Sequence, residues 1–154
     1  MAPIEFENPP GHVVEEIAIV CDGNDRTWIG LQVMFEYQTA ICELTGMDIS
    51  NASVYEGPSA VAAAGYLAKL ANGKTRFVVS AGLHPHSLQT LRTYAHGYDI
   101  EVVTVPLSGG VTDPDAWAAA IDGDTSAVFF AQPNVLGAVE DAAALSAEIG
   151  RAHV

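Results

Sequence analysis

Three short runs constrain this chain more than anything else in it. Arg76-Phe77-Val78-Val79-Ser80, residues 100–105 (IEVVTV) and residues 126–131 (SAVFFA) are apolar almost without interruption. A strand with one wet face alternates apolar and polar residues, whereas a strand covered on both faces need not. Segments with helical spacing stand between them: 84–96, with Leu88 and Leu91 inward and Gly97 as its stop, and a segment from Asp113 with Trp117, Ala120 and Ile121 inward. Asp113-Pro114 reads as a helix start, with Asp113 as cap and proline where a missing N–H costs nothing. Residues 140–149 begin a further helix. From Pro58 the order is helix, strand, helix, strand, helix, strand, helix. That order implies an α/β fold, a partial doubly wound, mostly parallel sheet with right-handed crossovers. Ligands of such sheets sit beyond the carboxyl ends of the strands. Three loops are therefore candidates for a site: residues 80–85, 106–110 and 132–137.

Upstream, Leu31, Met34, Phe35, Ile41 and Cys42 recur at helical spacing from about Trp28, and Gly46 suits the position after the last turn. A turn over 47–51 and a short extended piece over 52–55 follow. A second helix is predicted over 58–71, with Ala60, Ala62, Ala63, Ala64 and Gly65 making one side thin enough for close packing on a sheet. Asn72-Gly73 ends it. Residues 1–30 fit no clear pattern: 13–21 reads as either a strand or a short helix, and Asp22-Gly23-Asn24-Asp25 as a turn.

Composition narrows the function classes. A length of 154 residues with 49% hydrophobic content allows one domain with a real core. A net charge of -13 argues against nucleic acid and anionic membranes as partners. No apolar run approaches the roughly 20 residues of a membrane span, and no signal peptide is visible. The two cysteines, Cys21 and Cys42, fit a reducing cytoplasm, with Cys42 expected in the core. None of the five histidines has zinc spacing with them, so no metal site is expected.

Three motifs carry candidate chemistry. Glu56-Gly57-Pro58-Ser59-Ala60 opens a helix, where backbone N–H groups and the Ser59 hydroxyl could take a phosphate. Glu56 opposes this with a like charge, and plain packing also asks for small residues there. His84, just after the first strand, could stack on a cofactor ring or move a proton; equally, His84 or His86 could cap the next helix. Asn134, in Gln132-Pro133-Asn134, could orient a planar ligand or satisfy loop backbone. Lysine is informative by scarcity. Only Lys69 and Lys74 occur, and neither falls at the carboxyl end of a strand, where a pyridoxal-phosphate Schiff base needs one.

At MFEYQTAICELTGMDISNASVYEGPSA, and again at FFAQPNVLGAVED, the chain resembles the P-protein family of the glycine cleavage system. The likeness is to its subunit 1, the alpha or N-terminal-half chain of the two-chain glycine dehydrogenase (decarboxylating). It covers about residues 31–148; residues 1–30 match poorly. The last six, IGRAHV, read as a translated sequencing adapter closing a truncated gene, and are left out of the fold reasoning. The resemblance implies part of the large domain of a fold-type-I (aspartate aminotransferase-like) pyridoxal-phosphate enzyme. It implies a cytoplasmic heterotetramer that decarboxylates glycine and passes the aminomethyl group to the lipoyl H-protein. The partner subunit 2 (beta) carries the Schiff-base lysine and most of the pyridoxal 5'-phosphate contacts. A fragment alone would be inactive. Site roles follow in the order His84, Ser59, Asn134: His84 stacking or shuttling protons, Ser59 contacting phosphate, Asn134 orienting the ring. Two alternatives stand beside this reading. One is another fold-type-I enzyme, of aminotransferase or cysteine-desulfurase type; the other is a non-catalytic scaffold subunit.

Overall fold

A computed structural model describes residues 25–152, with side chains over 30–149. The reading of 13–21 lies outside the described residues. The chain divides into two units, one ending at Ala52 and the other beginning at Ser53.

In the first unit a helix, α1, spans Asp25–Thr45. Gly46 ends it as expected, with φ of 70° and its N–H on the Cys42 carbonyl at 2.9 Å. Gln38 Nε2 donates to the Ser50 carbonyl at 2.7 Å, tying the following turn to the helix. The apolar stripe is present but not buried as a core would be. Leu31, Met34 and Phe35 are exposed, Ile41 and Cys42 half-buried. Val33, Tyr37 and Leu44 widen the apolar surface and are also exposed. The period reported the helix correctly; burial depends on neighbours, which a period does not name. Residues 52–55, expected to be extended, form no strand.

The second unit is built on a three-stranded parallel sheet. Its strands are β1 (Arg76–Ser80), β2 (Glu101–Val105) and β5 (Thr125–Phe129), in the order β2-β1-β5. The helices are α2 (Gly57–Asn72), α3 (Pro85–Gly97), α4 (Pro114–Ala120) and α5 (Ala142–Ala152). Helix α5 therefore continues over the first residues of the adapter-like segment. β1 is the central strand, and Phe77, Val78, Val79 and Ser80 are all buried. Phe77 and Val79 enter a core layer with Leu91 and Ala95 of α3 and Val61 of α2. Val78 enters the opposite layer with Trp117 of α4 and Leu145 of α5. Successive residues of one strand thus feed two cores, which is why its sequence does not alternate. β2 departs from expectation: it lies at an edge in this chain, and only Val105 is fully buried.

Other differences are local. Residues 106–110 are not a plain loop. They form part of a two-stranded hairpin, β3 (Leu107–Ser108) with β4 (Val111–Thr112), turned by Gly109 and Gly110 at φ of 62° and 90°. A Gly-Gly pair is a known hairpin signal. Gly97 stays inside α3, and Asp99 takes the positive φ, 53°. The thin side of α2 is Ala62 and Gly65, which are buried, whereas Ala63 and Ala64 face out. A Cβ on Gly65 would lie 2.9 Å from Phe77 Cε2 and 3.2 Å from Leu91 Cδ1.

At the amino ends of the strands Arg76 joins β1 to both flanks. Its Nε meets Glu101 Oε2 at 2.8 Å, and its Nη1 pairs with Asp122 Oδ2. The bond to Glu101, offset by desolvation and helped by Asp122, raises the Arg76 pKa. Desolvation pushes the Asp122 carboxyl up, but the Asp124 backbone N–H, the Arg76 charge and the Thr125 hydroxyl together hold it below the usual carboxylate range.

Two outcomes follow. Gly65→Ala adds helix propensity of about 1 kcal/mol but overpacks the α2–sheet contact by about 1–3 kcal/mol, so the melting temperature should fall. A carboxyl depressed on folding stabilises above its unfolded pKa, near 4, and that contribution is lost as pH falls through the folded value. The melting-temperature gap between wild type and Asp122→Asn should therefore be open at neutral pH and narrow as pH falls through the depressed folded value.

Candidate functional site

The chain runs from β1 through α3 to β2, then through α4 to β5 on the far side of β1. Strand order therefore reverses at β1, and the carboxyl ends of β1 and β5 flank the place where such sheets receive ligands. The loops there are bonded directly to one another. Ala81 N–H donates to the Val105 carbonyl at 2.8 Å, and Val135 N–H to the Gly82 carbonyl at 2.8 Å.

Four buried polar side chains complete this junction: Ser80 (0% exposed), Thr112 (3%), Glu140 (4%) and Asn134 (5%). Ser80 Oγ donates to Thr112 Oγ1 at 2.7 Å, since the Thr112 proton goes to Glu140, and it accepts the Gly82 N–H at 3.0 Å. Glu140 Oε2 accepts the Thr112 N–H at 2.9 Å; its Oε1 accepts Thr112 Oγ1 at 3.1 Å and Asn134 Nδ2 at 2.9 Å. Asn134 Nδ2 also donates to the Gly110 carbonyl at 2.9 Å, while its Oδ1 accepts the N–H groups of Leu136 and Ala138 at 3.0 and 3.1 Å. A Cβ on Gly82 would come 3.0 Å from Asn134 Cβ, so the bare backbone there permits the loops to close. Among the described residues no buried side-chain nitrogen or oxygen lacks a partner.

The three sequence-derived residues fall in different settings. Asn134 stands at the centre of the junction with its amide fully committed within the chain. Ser59 is at the start of α2, where Glu56 is the N-cap: Glu56 Oε1 accepts the Ser59 N–H at 2.9 Å, and Ser59 Oγ donates to the Glu56 carbonyl at 3.1 Å. His84 caps α3, its Nδ1 accepting the His86 N–H at 3.2 Å, with the two rings edge-on at 5.1 Å. His84 is exposed, as is His86. The sequence reading passed over Ser80, Thr112 and Glu140. Glu140 was placed in a helix, yet α5 begins only at Ala142, so Glu140 precedes it and turns inward.

Comparison with known proteins identifies the relationship. A sequence model of the glycine cleavage system P-protein matches residues 29–154. The chain belongs to this family. It is 49% identical over 120 residues to the probable glycine dehydrogenase (decarboxylating) subunit 1 of Endomicrobium trichonymphae, covering 77% of this chain and 27% of that protein. It is 50% identical over 110 residues to the protein so described in Bacillus velezensis, covering 71% and 25%. A crystal structure of glycine decarboxylase (P-protein) in inhibitor-bound form superposes with a TM-score of 0.76 at 35% identity, covering 88% of this chain and 30% of that one. The chain thus spans about a quarter of the length of the curated relatives it matches. Its α/β fold with a parallel sheet is that of the fold-type-I enzymes.

Pyridoxal phosphate, the cofactor of that fold family, needs a lysine at a strand end and a cradle for its phosphate. The residues here do not fit those needs. Lys69 lies in the last turn of α2, where Nζ bonds the Tyr98 carbonyl beside the stacked rings of Tyr66 and Tyr98. Lys74 lies two residues before β1, at the opposite end of the sheet from the junction. The start of α2 is already capped by Glu56. Among the described residues no group of three His, Cys, Asp or Glu side chains is placed to hold a metal ion, and no helix is long and apolar enough to cross a membrane.

Asn134→Asp tests the junction. It replaces a donor facing two acceptors with a carboxylate oxygen, and should cost about 3 kcal/mol or more at neutral pH in a denaturant titration. Protonation should return part of that loss below about pH 5. Ser59→Ala, which removes one exposed bond, should cost about 1 kcal/mol or less.

Proposed function

We propose that this chain is part of subunit 1 (alpha) of glycine decarboxylase, the P-protein of the glycine cleavage system. The assembly releases the carboxyl group of glycine and passes the aminomethyl group to the lipoyl arm of H-protein. Pyridoxal phosphate supplies the electron sink for that chemistry when bound, and it is held mainly by the partner, subunit 2 (beta). One observation carries the reading: the family match runs from residue 29 to residue 154, through both the sheet and its loops. Lys69 and Lys74 both lie away from the carboxyl ends of the strands, so these residues leave the cofactor lysine to be supplied from outside them.

In this assembly the chain shapes a site rather than completing one. The junction of Ser80, Thr112, Asn134 and Glu140 fixes the loops at the carboxyl end of the sheet. Asn134 then acts by holding loop shape. His84 is the candidate whose ring stays open to solvent, so any stacking or proton transfer from this chain falls to it. The exposed apolar face of α1 belongs to contact with the rest of the heterotetramer, in the cytoplasm.

Expression of the gene with and without its subunit 2 neighbour tests the proposal. Glycine–bicarbonate carbon exchange should appear only with both chains present. Exchange by this chain alone, or none with both, overturns the reading.

A further inference from the structure

We infer that the anion seat at the start of α2 is filled by the chain's own Glu56, which leaves the cofactor's phosphate to another chain. The inference rests on the family's cofactor and on three features of this loop. First, α2 points the right way. Asn72, at its end, exchanges hydrogen bonds with Ser126 near the start of β5, Nδ2 to the Ser126 carbonyl and Ser126 Oγ to Oδ1, both at 2.9 Å. The helix therefore runs against the strands, and its N-terminus lies toward the carboxyl end of the sheet, where a phosphate would be held.

Second, the donors past Gly57 are taken. Glu56 is extended, at φ of -159° and ψ of 159°, which lets its longer side chain fold back over the first turn. Pro58 has no N–H. The Ser59 N–H goes to Glu56 Oε1, the Ser59 hydroxyl to the Glu56 carbonyl, and the Ala60 N–H to the same carbonyl at 3.2 Å. Third, the charge is wrong for a second anion. The first turn of α2 holds no basic residue, and a phosphate dianion would sit against a carboxylate that already satisfies the helix end. A carboxylate at a helix N-terminus and a phosphate there are alternatives, because both draw on the same N–H groups and the same positive end of the dipole.

Amide hydrogen exchange at Ser59, in the chain as its gene expresses it, tests this without any assay of activity. Removing the cap with Glu56→Ala should speed Ser59 exchange roughly fivefold or more, because a lost N-cap frees the first turn. Adding millimolar inorganic phosphate to the wild type should leave Ser59 exchange unchanged against a chloride control of equal ionic strength. Slowed exchange on adding phosphate overturns the inference, as does unchanged exchange in Glu56→Ala. The phosphate arm needs no variant, so it decides even where Glu56→Ala fails to fold. Glycine decarboxylation enters neither arm, and failure here is distinct from failure of the carbon-exchange test.

Discussion

One buried carboxylate holds the carboxyl end of this sheet together. Glu140 is almost fully removed from water, and the partners of its two oxygens are a backbone N–H, a hydroxyl and an amide rather than a cation. Burying such a charge is costly unless its lone pairs are used. Glu140 uses them on Thr112 twice and on Asn134 once. Those two residues stand on the hairpin after β2 and the loop after β5, and Thr112 passes the contact on to Ser80 at the end of β1. Each of the three strands thereby has its exit tied to one group. The loops lock in one arrangement because the alternative strands a charge or an amide in a dry interior.

How much of this could be read in advance differs by level. The β1 boundaries were legible to the residue, since its run Phe77-Val78-Val79 is apolar without alternation and turn residues stand on both sides. The start of α4 was legible for an equally local reason: Asp113 accepts the Ala116 N–H at 2.9 Å, and Pro114 takes the first position. Glu140 was not. In AVEDAAAL an acidic residue before an apolar run looks like an ordinary helix-start acid, and Asp141 does fill that role by accepting the Ala144 N–H. Which of two adjacent acids turns inward is decided by Thr112 and Asn134, 28 and 6 residues away, and no local pattern encodes that. The Gly109-Gly110 turn was legible in principle, because positive φ at two successive positions asks for glycine.

The exposed residues of α1 follow a different logic. Leu31, Met34 and Phe35 repeat at core spacing, and Val33, Tyr37 and Leu44 extend the apolar surface past half of the helix circumference. A helix of that kind is stable when several neighbours cover it. The sequence period is that of a core helix, and in this chain the stripe it marks is an open face. β2 follows the same rule, a buried strand by sequence and an edge by position.

The start of α2 separates shape from chemistry. A loop of small residues opening a helix near the carboxyl end of a parallel sheet is the form of a phosphate site, and here that helix start is present although no strand precedes it among the described residues. What differs is the partner of the N–H groups. Glycine, proline and serine give the turn its geometry, but a helix end accepts any anion, internal or external. An internal carboxylate has the entropic advantage of being tethered one residue away, and it stabilises the fold with no cofactor bound. The cost is that the loop cannot then distinguish a bound phosphate from its own side chain. Among these residues neither lysine lies at the carboxyl end of a strand, so that cost is small. Retention of the loop is then explained by what Glu56 and Ser59 do for α2, and by the close seat of Gly65 on Phe77 and Leu91 that a well-formed α2 requires.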